Sequence, residues 1–159
     1  MNLIDKVSEV LFEKFRDKTD RGGHPYIEHL FRVAEEAEAI QVGSYLTGLL
    51  HDAVEDTDLT ADDLYLLGVP EVVIDRVSVL TKLENESYEL YIKRLKNYVR
   101  RRKDKVVLAV KIADLNDNLN LSRLKYLQDY DFARVKRYMT VRNALIQMLD
   151  ALNKKEMKQ

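Results

Sequence analysis

The sequence contains no cysteine, which excludes disulfide bonds, thiolate zinc sites and a cysteine nucleophile. Any metal ion that this chain binds must therefore be held by nitrogen and oxygen atoms. Glycine and proline are also scarce, with 5 and 2 residues among 159, whereas hydrophobic residues make up 46% and charged residues 33%. This composition favours a helix-rich globular protein over a disordered chain or a β-sandwich.

Other absences limit the choice of partner. The net charge is only -1, so the field of the whole protein gives no reason to expect nucleic acid or an anionic membrane, and an anionic substrate must be held by local charge. No segment approaches the apolar length of a membrane span, and residues 1–6 lack the apolar run of a signal peptide. We therefore expect a cytoplasmic protein. No pattern in the chain indicates an oligomeric state.

The spacing of apolar residues predicts a mainly helical chain. A length of 159 residues suits one domain with a real core, so we predict a single domain over residues 1–159. Helical periodicity predicts helices over residues 3–15, from Pro25 to a break at residues 42–43, over 45–54, 60–68, 70–80, 87–102, 105–121 and 131–152. Thr60 and Asp63 resemble a capping box with Asp in place of Glu or Gln. We expect the charged tail after Leu152 to fray.

The helix predicted over residues 105–121 is apolar around most of its circumference, which predicts a central and buried position. Its polar residues Lys111, Asp114 and Asn118 recur at spacings of three and four, so they lie on one stripe of the helix. Lys111 admits two interpretations. It can bind a substrate phosphate, or it can neutralise Asp114 across one helical turn.

Residues 49–57, with the sequence LLHDAVEDT, place His51 beside Asp52 at the end of an apolar run. An imidazole and a carboxylate are costly to bury unless each is paired or coordinates a metal. His29 and Asp114 are the partners that other predicted helices can supply, and we expect the four residues to converge. Taken singly, each histidine is more simply a structural residue with satisfied hydrogen bonds. Taken together, two imidazoles and two carboxylates suit a divalent ion such as Mn, Fe, Zn or Mg.

This pattern resembles the HD superfamily of metal-dependent phosphohydrolases, whose motif is a His, a His-Asp pair and a distant Asp. Four segments are similar in particular to the hydrolase domain of the RelA/SpoT family and its stand-alone small alarmone hydrolases, namely residues 23–29 (GHPYIEH), 49–57 (LLHDAVEDT), 80–83 (LTKL) and 111–114 (KIAD). The resemblance spans residues 20–121. It implies an all-α HD-domain helical bundle, with a central buried helix, that forms a single phosphohydrolase domain over residues 1–159.

The resemblance also implies a role for each matching residue. It makes His29, His51, Asp52 and Asp114 the ligands of one divalent metal ion, for which we expect Mn²⁺ first, with Fe, Zn or Mg as alternatives. It makes Glu55 and Asp56 the catalytic pair that positions water and handles its proton, whereas the simpler interpretation of that pair is a solvated helix end. It makes Asn118 a contact of the nucleotide sugar and leaves Arg21 as a basic substrate-binding residue.

The chain departs from the family at positions associated with the substrate. The family has two adjacent basic residues before the Gly-x-Pro-Tyr segment, the first of which stacks on guanine, whereas this chain has Asp20 there and retains only Arg21. The Arg of the family's Ala-Asp-Arg is Leu115, and its His-Asn-Met-Arg is residues 117–120 (DNLN). These changes keep the metal ligands but remove groups associated with guanosine tetraphosphate.

We therefore predict a metal-dependent phosphohydrolase that acts on a small-molecule nucleotide, with guanosine 3′,5′-bis(diphosphate) cleaved at its 3′-pyrophosphate as the first candidate reaction. Asp20 and Leu115 leave open an HD hydrolase of another nucleotide or phosphoester. A sensor that binds a nucleotide without cleaving it is a further alternative, against which the retention of Glu55 and Asp56 argues.

Three other features are expected to be structural. The basic run at residues 100–103 is interpreted as a solvated helix end rather than a phosphate site. His24 lies in a polar loop and is expected to be exposed. Tyr88 and Tyr91 are expected to belong to the core rather than to a platform for base stacking.

Overall fold

Helices account for all the regular structure in the described part of the chain, residues 1–158 of a computed structural model. These residues form α1 (Leu3–Lys14), α2 (Tyr26–Ile40), α3 (Tyr45–Leu50), α4 (Ala53–Asp56), α5 (Ala61–Leu66), α6 (Glu71–Leu80), α7 (Tyr88–Arg102), α8 (Lys105–Leu119), a 3-10 helix (Leu121–Arg123) and α9 (Asp129–Glu156). The prediction of an all-α fold is confirmed. Within the same residues, no helix is both long and apolar enough to cross a membrane.

Several helix ends follow directly from the local sequence. Thr60 and Asp63 form the predicted capping box of α5, in which each side chain accepts a hydrogen bond from the backbone N–H of the other. Asp104 caps α8 by accepting from two backbone N–H groups of the first turn. Pro70 stands one position earlier than predicted, at the N-cap, because α6 begins at Glu71.

The single helix predicted over residues 45–54 is wrong, because the chain breaks at His51 and Asp52 into α3 and α4. The carbonyl of Gly48 would accept the N–H of Asp52 in a continuous helix. Here it accepts a bond from Nδ1 of His51 at 2.7 Å, and Asp52 leaves helical geometry at φ -104° and ψ 1°. A bond from a side chain to the backbone thus replaces one bond of the helical ladder and turns both residues towards the same site.

The C-terminal boundaries also differ from the prediction. Helix α8 ends at Leu119 rather than residue 121, and α9 runs from Asp129 to Glu156, beyond the predicted start and end. Residues 153–156 of the tail are therefore helical rather than frayed, and residue 159 lies outside the described part of the chain. Lys105 explains this, since its Nζ contacts Oδ1 of Asn153 at 3.3 Å and Oε2 of Glu156 at 2.7 Å, which ties the last turns of α9 to the start of α8.

Helix α8 is the central buried helix that its sequence predicts. Ten of its fifteen residues are buried, and it packs against both α2 and α9. Helices α2 and α3 approach each other closely at Gly48, where an added Cβ would lie 2.8 Å from Cα of Ala34. This close packing brings the start of α2, the end of α3 and the C-terminal half of α8 to one place.

Candidate metal centre

The structure brings the four predicted metal ligands together from three parts of the chain. One ligand atom from each of His29, His51 and Asp114 lies within 4.8 Å of the others. Oδ1 of Asp114 is 3.5 Å from Nε2 of His29 and 3.7 Å from Nε2 of His51. Oδ2 of Asp52 is 3.6 Å and 3.1 Å from the same two nitrogen atoms. The two imidazoles and two carboxylates therefore face a common point.

The hydrogen bonds of both histidines leave the correct nitrogen for a metal ion. Nδ1 of His29 lies 2.6 Å from Oδ2 of Asp117, and Nδ1 of His51 lies 2.7 Å from the carbonyl oxygen of Gly48. Both partners are acceptors, so the neutral rings carry their proton on Nδ1. Both Nε2 atoms are buried and have no hydrogen-bond partner. This donor set fits a divalent cation, since a metal-bound histidine commonly donates its other N–H to a carboxylate or carbonyl.

Electrostatics within the cluster also favour a bound cation. Burial lowers the pKa of His29, but the surrounding carboxylates, led by Asp114, raise it to about 11. Burial lowers the pKa of His51 as well, while Asp52 and Asp114 raise it to about 9. The carboxylates thus hold positive charge on the rings when protons are the only cations present. A divalent ion supplies the same positive charge at the same place.

Each ligand carboxylate is held by a further side chain. Nζ of Lys111 donates to Oδ2 of Asp114 at 2.7 Å, and Nδ2 of Asn118 donates to Oδ1 of the same residue at 2.6 Å. The hydroxyl of Tyr26 donates to Oδ2 of Asp52 at 2.6 Å. The neutralising contact suggested for Lys111 is therefore present. Sequence reasoning missed Tyr26, although it lies three residues before His29 and so on the same side of α2.

Asp117 is the second residue that sequence reasoning missed. Its carboxylate is buried and contacts the ring of His29 and the guanidinium groups of Arg32 and Arg123. The sequence does contain an indication of this role, because Asp117 follows Asp114 by three residues on a helix predicted to be buried. A buried carboxylate on that stripe requires partners, as Asp114 does.

Glu55 and Asp56, the predicted catalytic pair, form the end of α4 beside the cluster. Oε2 of Glu55 accepts the backbone N–H of Lys82 at 2.8 Å. Burial raises the pKa of Glu55 and also that of Asp56 above their ordinary values. The backbone carbonyl of Asp56 accepts a hydrogen bond from Nζ of Lys18. The end of this helix is therefore tied to two neighbouring segments rather than fully solvated.

Two cavities adjoin the cluster, one lined by His51, Asp52 and Asp114 and the other by His29. The larger has a volume of about 180 Å³, and its lining includes His51, Asp52, Glu55, Asp114, Lys82 and Lys111. The smaller has a volume of about 120 Å³, and its lining includes Tyr26, His29, Asn118, Arg21, Arg123 and Arg134. The predicted substrate-binding residues are thus divided, with Lys111 in the larger cavity and Arg21 and Asn118 in the smaller one.

The two loop residues at the family's paired basic positions, Asp20 and Arg21, have defined contacts. Oδ1 of Asp20 accepts the backbone N–H groups of Gly22 and His24 at 2.8 Å and 2.9 Å, so Asp20 shapes its own loop. Arg21 is half-exposed, its Nη1 lies 3.2 Å from Oδ1 of Asp131, and its guanidinium stacks over the ring of Tyr130 at 5.2 Å.

The remaining features lie as the sequence indicated, with one exception. Residues 100–103 and His24 are exposed. Tyr91 is buried and donates to the carbonyl of Leu80 at 2.6 Å. Tyr88 is only partly buried, and it lines the larger cavity beside the cluster. Its environment therefore combines core and cavity.

Known proteins are similar in sequence to most of this chain. No protein-family model matches the chain. A GTP pyrophosphokinase of Myxococcus xanthus is 31% identical over 144 residues, which cover 85% of this chain and 19% of that protein. A GTP pyrophosphokinase of Streptomyces antibioticus is 31% identical over 125 residues, which cover 76% of this chain and 15% of that protein. The chain is related to the RelA/SpoT family. It spans less than a fifth of the length of these relatives.

A solved structure supports the same relationship at the level of the fold. It belongs to a metazoan orthologue of SpoT, which is described as hydrolysing ppGpp and as having a role in starvation responses. The two chains superpose with a TM-score of 0.70 and are 21% identical, and the match covers 98% of this chain and 96% of the other. This chain and the solved SpoT orthologue share one fold. The match confirms the predicted HD-type helical bundle.

Proposed function

We propose that this chain is an HD-type metal-dependent phosphohydrolase that acts on a nucleotide, and that the single predicted domain over residues 1–159 is its catalytic unit. The observation that carries the proposal is the pair of buried Nε2 atoms of His29 and His51, which face the carboxylates of Asp52 and Asp114. We also propose that the protein acts in the cytoplasm, because its proposed substrate is a free nucleotide.

The four ligands would hold one divalent ion, for which Mn²⁺ is the first choice and Fe, Zn and Mg are the alternatives. When bound, such an ion lowers the pKa of its water ligand and polarises a phosphoryl oxygen. Tyr26 fixes the orientation of Asp52, and Lys111 and Asn118 fix that of Asp114. The protein therefore provides ligands that are already oriented before the ion arrives.

Glu55 is the proposed general base. It lines the cavity that also contains His51 and Asp52, and the N–H of Lys82 holds one of its oxygen atoms. Because burial raises its pKa, the carboxylate accepts a proton from water more readily than an exposed glutamate would. Asp56, whose pKa is raised in the same way, is proposed to orient the water.

The charges around the two cavities suggest how a substrate would lie. Lys82 and Lys111 place two ammonium groups around the larger cavity, which suits the phosphoryl groups to be cleaved. The smaller cavity presents the amide of Asn118 and the guanidinium of Arg21, which suits the sugar and the rest of a nucleotide. Substrate bound in this way would span the metal ligands between the cavities.

The first candidate substrate is guanosine 3′,5′-bis(diphosphate), cleaved at its 3′-pyrophosphate. Its support is the resemblance of the motifs and the fold shared with the metazoan SpoT orthologue, which is described as hydrolysing ppGpp. The relatives named GTP pyrophosphokinase are much longer proteins, so their name describes a whole of which this chain matches a small part.

A second candidate is the hydrolysis of another nucleotide or phosphoester. Asp20 occupies the position of the family's guanine-stacking residue, and its carboxylate is engaged by the loop backbone. Leu115 occupies the position of a family arginine and is buried at 1% exposure, so it offers no charge to a substrate. Both observations favour a substrate whose base is held differently.

The deciding experiment measures phosphate and pyrophosphate release from a panel of nucleotides, guanosine 3′,5′-bis(diphosphate) included, with Mn²⁺ and after chelation. Metal-dependent release of pyrophosphate from the alarmone is the expected result. Release from a different substrate would replace the alarmone with that substrate and keep the metal-dependent reaction. Nucleotide binding without turnover at saturating Mn²⁺ would overturn the proposal and identify the chain as a nucleotide sensor.

A further inference from the structure

Asp117 lies behind the metal ligands, on the side of His29 that faces away from them. Oδ2 of Asp117 is 2.6 Å from Nδ1 of His29, whereas Nε2 of that ring points to Asp114 and Asp52. Asp117 therefore contacts a ligand without being one.

Two arginines hold the carboxylate of Asp117 in place. Arg32 donates from Nε to Oδ1 at 2.7 Å and from Nη2 to Oδ2 at 3.2 Å, in a bidentate pair. Arg123 donates from Nη2 to Oδ2 at 2.9 Å and to the backbone carbonyl of Asp117 at 2.7 Å. Because both oxygen atoms of the carboxylate are held in this way, its position beside Nδ1 of His29 is fixed.

The same arginine connects the site to the loop before α2. Nε of Arg123 lies 3.6 Å from Oδ2 of Asp20, and the backbone carbonyl oxygen of Arg123 occupies the space where a Cβ on Gly22 would stand. Residues of the loop, the 3-10 helix and α8 thus meet at Asp117. This contact explains why residue 20 is acidic, because a basic side chain there would be repelled by the guanidinium of Arg123.

We propose that Asp117 is a positioning residue for the metal centre, which fixes the ring of His29 with its proton on Nδ1 and its lone pair on Nε2, and that Arg32 and Arg123 serve to keep Asp117 in this role. The inference rests on the proposed function, since it requires a metal ion at the four ligands. Carboxylates that orient a metal-bound histidine are commonly worth 10- to 100-fold in metal affinity.

The test compares wild-type protein with Asp117→Asn by isothermal titration with Mn²⁺ and by the absorption spectrum of the Co²⁺-loaded protein. Asparagine keeps the shape but weakens the acceptor, and its amide can donate to Nδ1, which favours the wrong tautomer. We expect the affinity for Mn²⁺ to fall by about 10- to 100-fold and the Co²⁺ spectrum to shift. Equal affinity and an unchanged spectrum in the variant would overturn the proposal.

Asp104→Asn is the matched control. Asp104 is the N-cap of α8, the helix that contains Asp117. Its side chain is nearly buried and its Oδ2 lies 2.8 Å from Nε of Arg76, but it contacts no histidine. Asparagine also remains a good helix N-cap there. We expect Asp104→Asn to bind Mn²⁺ as the wild type does. An equal loss of affinity in both variants would mean that Asp117 acts only through general stability, which contradicts a positioning role.

A nuclear magnetic resonance measurement separates the two proposals and does not depend on turnover. The chain has only 3 histidines, so their ring protons in the Zn²⁺-loaded protein can be assigned by substitution. We expect a downfield Nδ1 proton of His29 that moves upfield in Asp117→Asn, or in Arg32→Lys if the first variant does not fold. An unchanged resonance refutes the positioning role alone. A wild-type protein that binds no metal refutes the proposed function as well.

Discussion

Lys111 and Asp114, one turn apart on the central helix α8, form a buried ion pair in which Nζ lies 2.7 Å from Oδ2. The side chain of Lys111 is 13% exposed and that of Asp114 is 9% exposed. Burial lowers the pKa of Lys111, but the charge of Asp114 outweighs burial and raises it well above the ordinary value. The pair therefore carries both charges into the core, next to the two histidines.

Breaking this pair should be costly. Lys111→Met leaves a buried carboxylate without its lysine, and we expect the free energy of unfolding to fall by about 3–5 kcal/mol in metal-free protein. Denaturant unfolding followed by circular dichroism measures the change. Saturating Mn²⁺ should recover part of the loss in the variant, because the ion restores positive charge beside Asp114. A loss below about 0.5 kcal/mol, typical of a surface substitution, would contradict a buried pair.

Metal binding and catalysis should separate by residue. We expect His51→Ala and Asp52→Ala to lose both Mn²⁺ affinity and turnover, because each removes a ligand. Glu55→Ala should keep the affinity and lower kcat by about 100- to 10,000-fold, the contribution of a general base. His24→Ala is the control for histidine loss, since His24 is exposed, and it should change neither quantity. Titration of Mn²⁺ and initial rates measure both. Equal turnover in all variants would disprove the mechanism.

The hydroxyl of Tyr26 should contribute to metal affinity without contributing much to folding. Tyr26→Phe removes the 2.6 Å bond to Asp52 but keeps the ring, which stacks on Phe15 at 5.4 Å between centroids. We expect the affinity for Mn²⁺ to fall by about 10- to 100-fold, the usual effect of losing a group that orients a metal ligand. Tyr98→Phe, on α7, is the control and should leave the affinity unchanged. An unaltered affinity in Tyr26→Phe would show that Asp52 needs no such support.

The close approach of α2 and α3 should be necessary for the site. Gly48→Ala places a Cβ 2.8 Å from Cα of Ala34, so the helices that carry His29 and His51 must move apart. We expect a loss of about 1–3 kcal/mol in stability from this overpacking, together with weaker Mn²⁺ binding.

Gly68→Ala is the matched control for that substitution. Gly68 has a positive φ of 91° in open space, so alanine there also costs stability but does not shift the two helices. Thermal unfolding and Mn²⁺ titration of both variants distinguish the effects. Equal Mn²⁺ affinity in the two variants would show that the helix separation at Gly48 does not control the site.

The sequence alone determined those features that depend on neighbours along the chain. The capping box of Thr60 and Asp63 and the polar stripe of Lys111, Asp114 and Asn118 involve residues three or four positions apart, so helical geometry decides which groups meet. Helix α8 is apolar around most of its circumference, which predicts a buried position. The structure places it in the core.

Only the tertiary structure decided which groups meet across the chain. The bond between His29 and Asp117 joins residues 88 positions apart, and that between Tyr26 and Asp52 joins residues 26 positions apart. The break of the helix at His51 depends on its ring turning back to Gly48, where α3 packs on α2. Helical periodicity assigns a side chain to a face of one helix, but the position of that face against another helix depends on packing, which is a property of the whole chain.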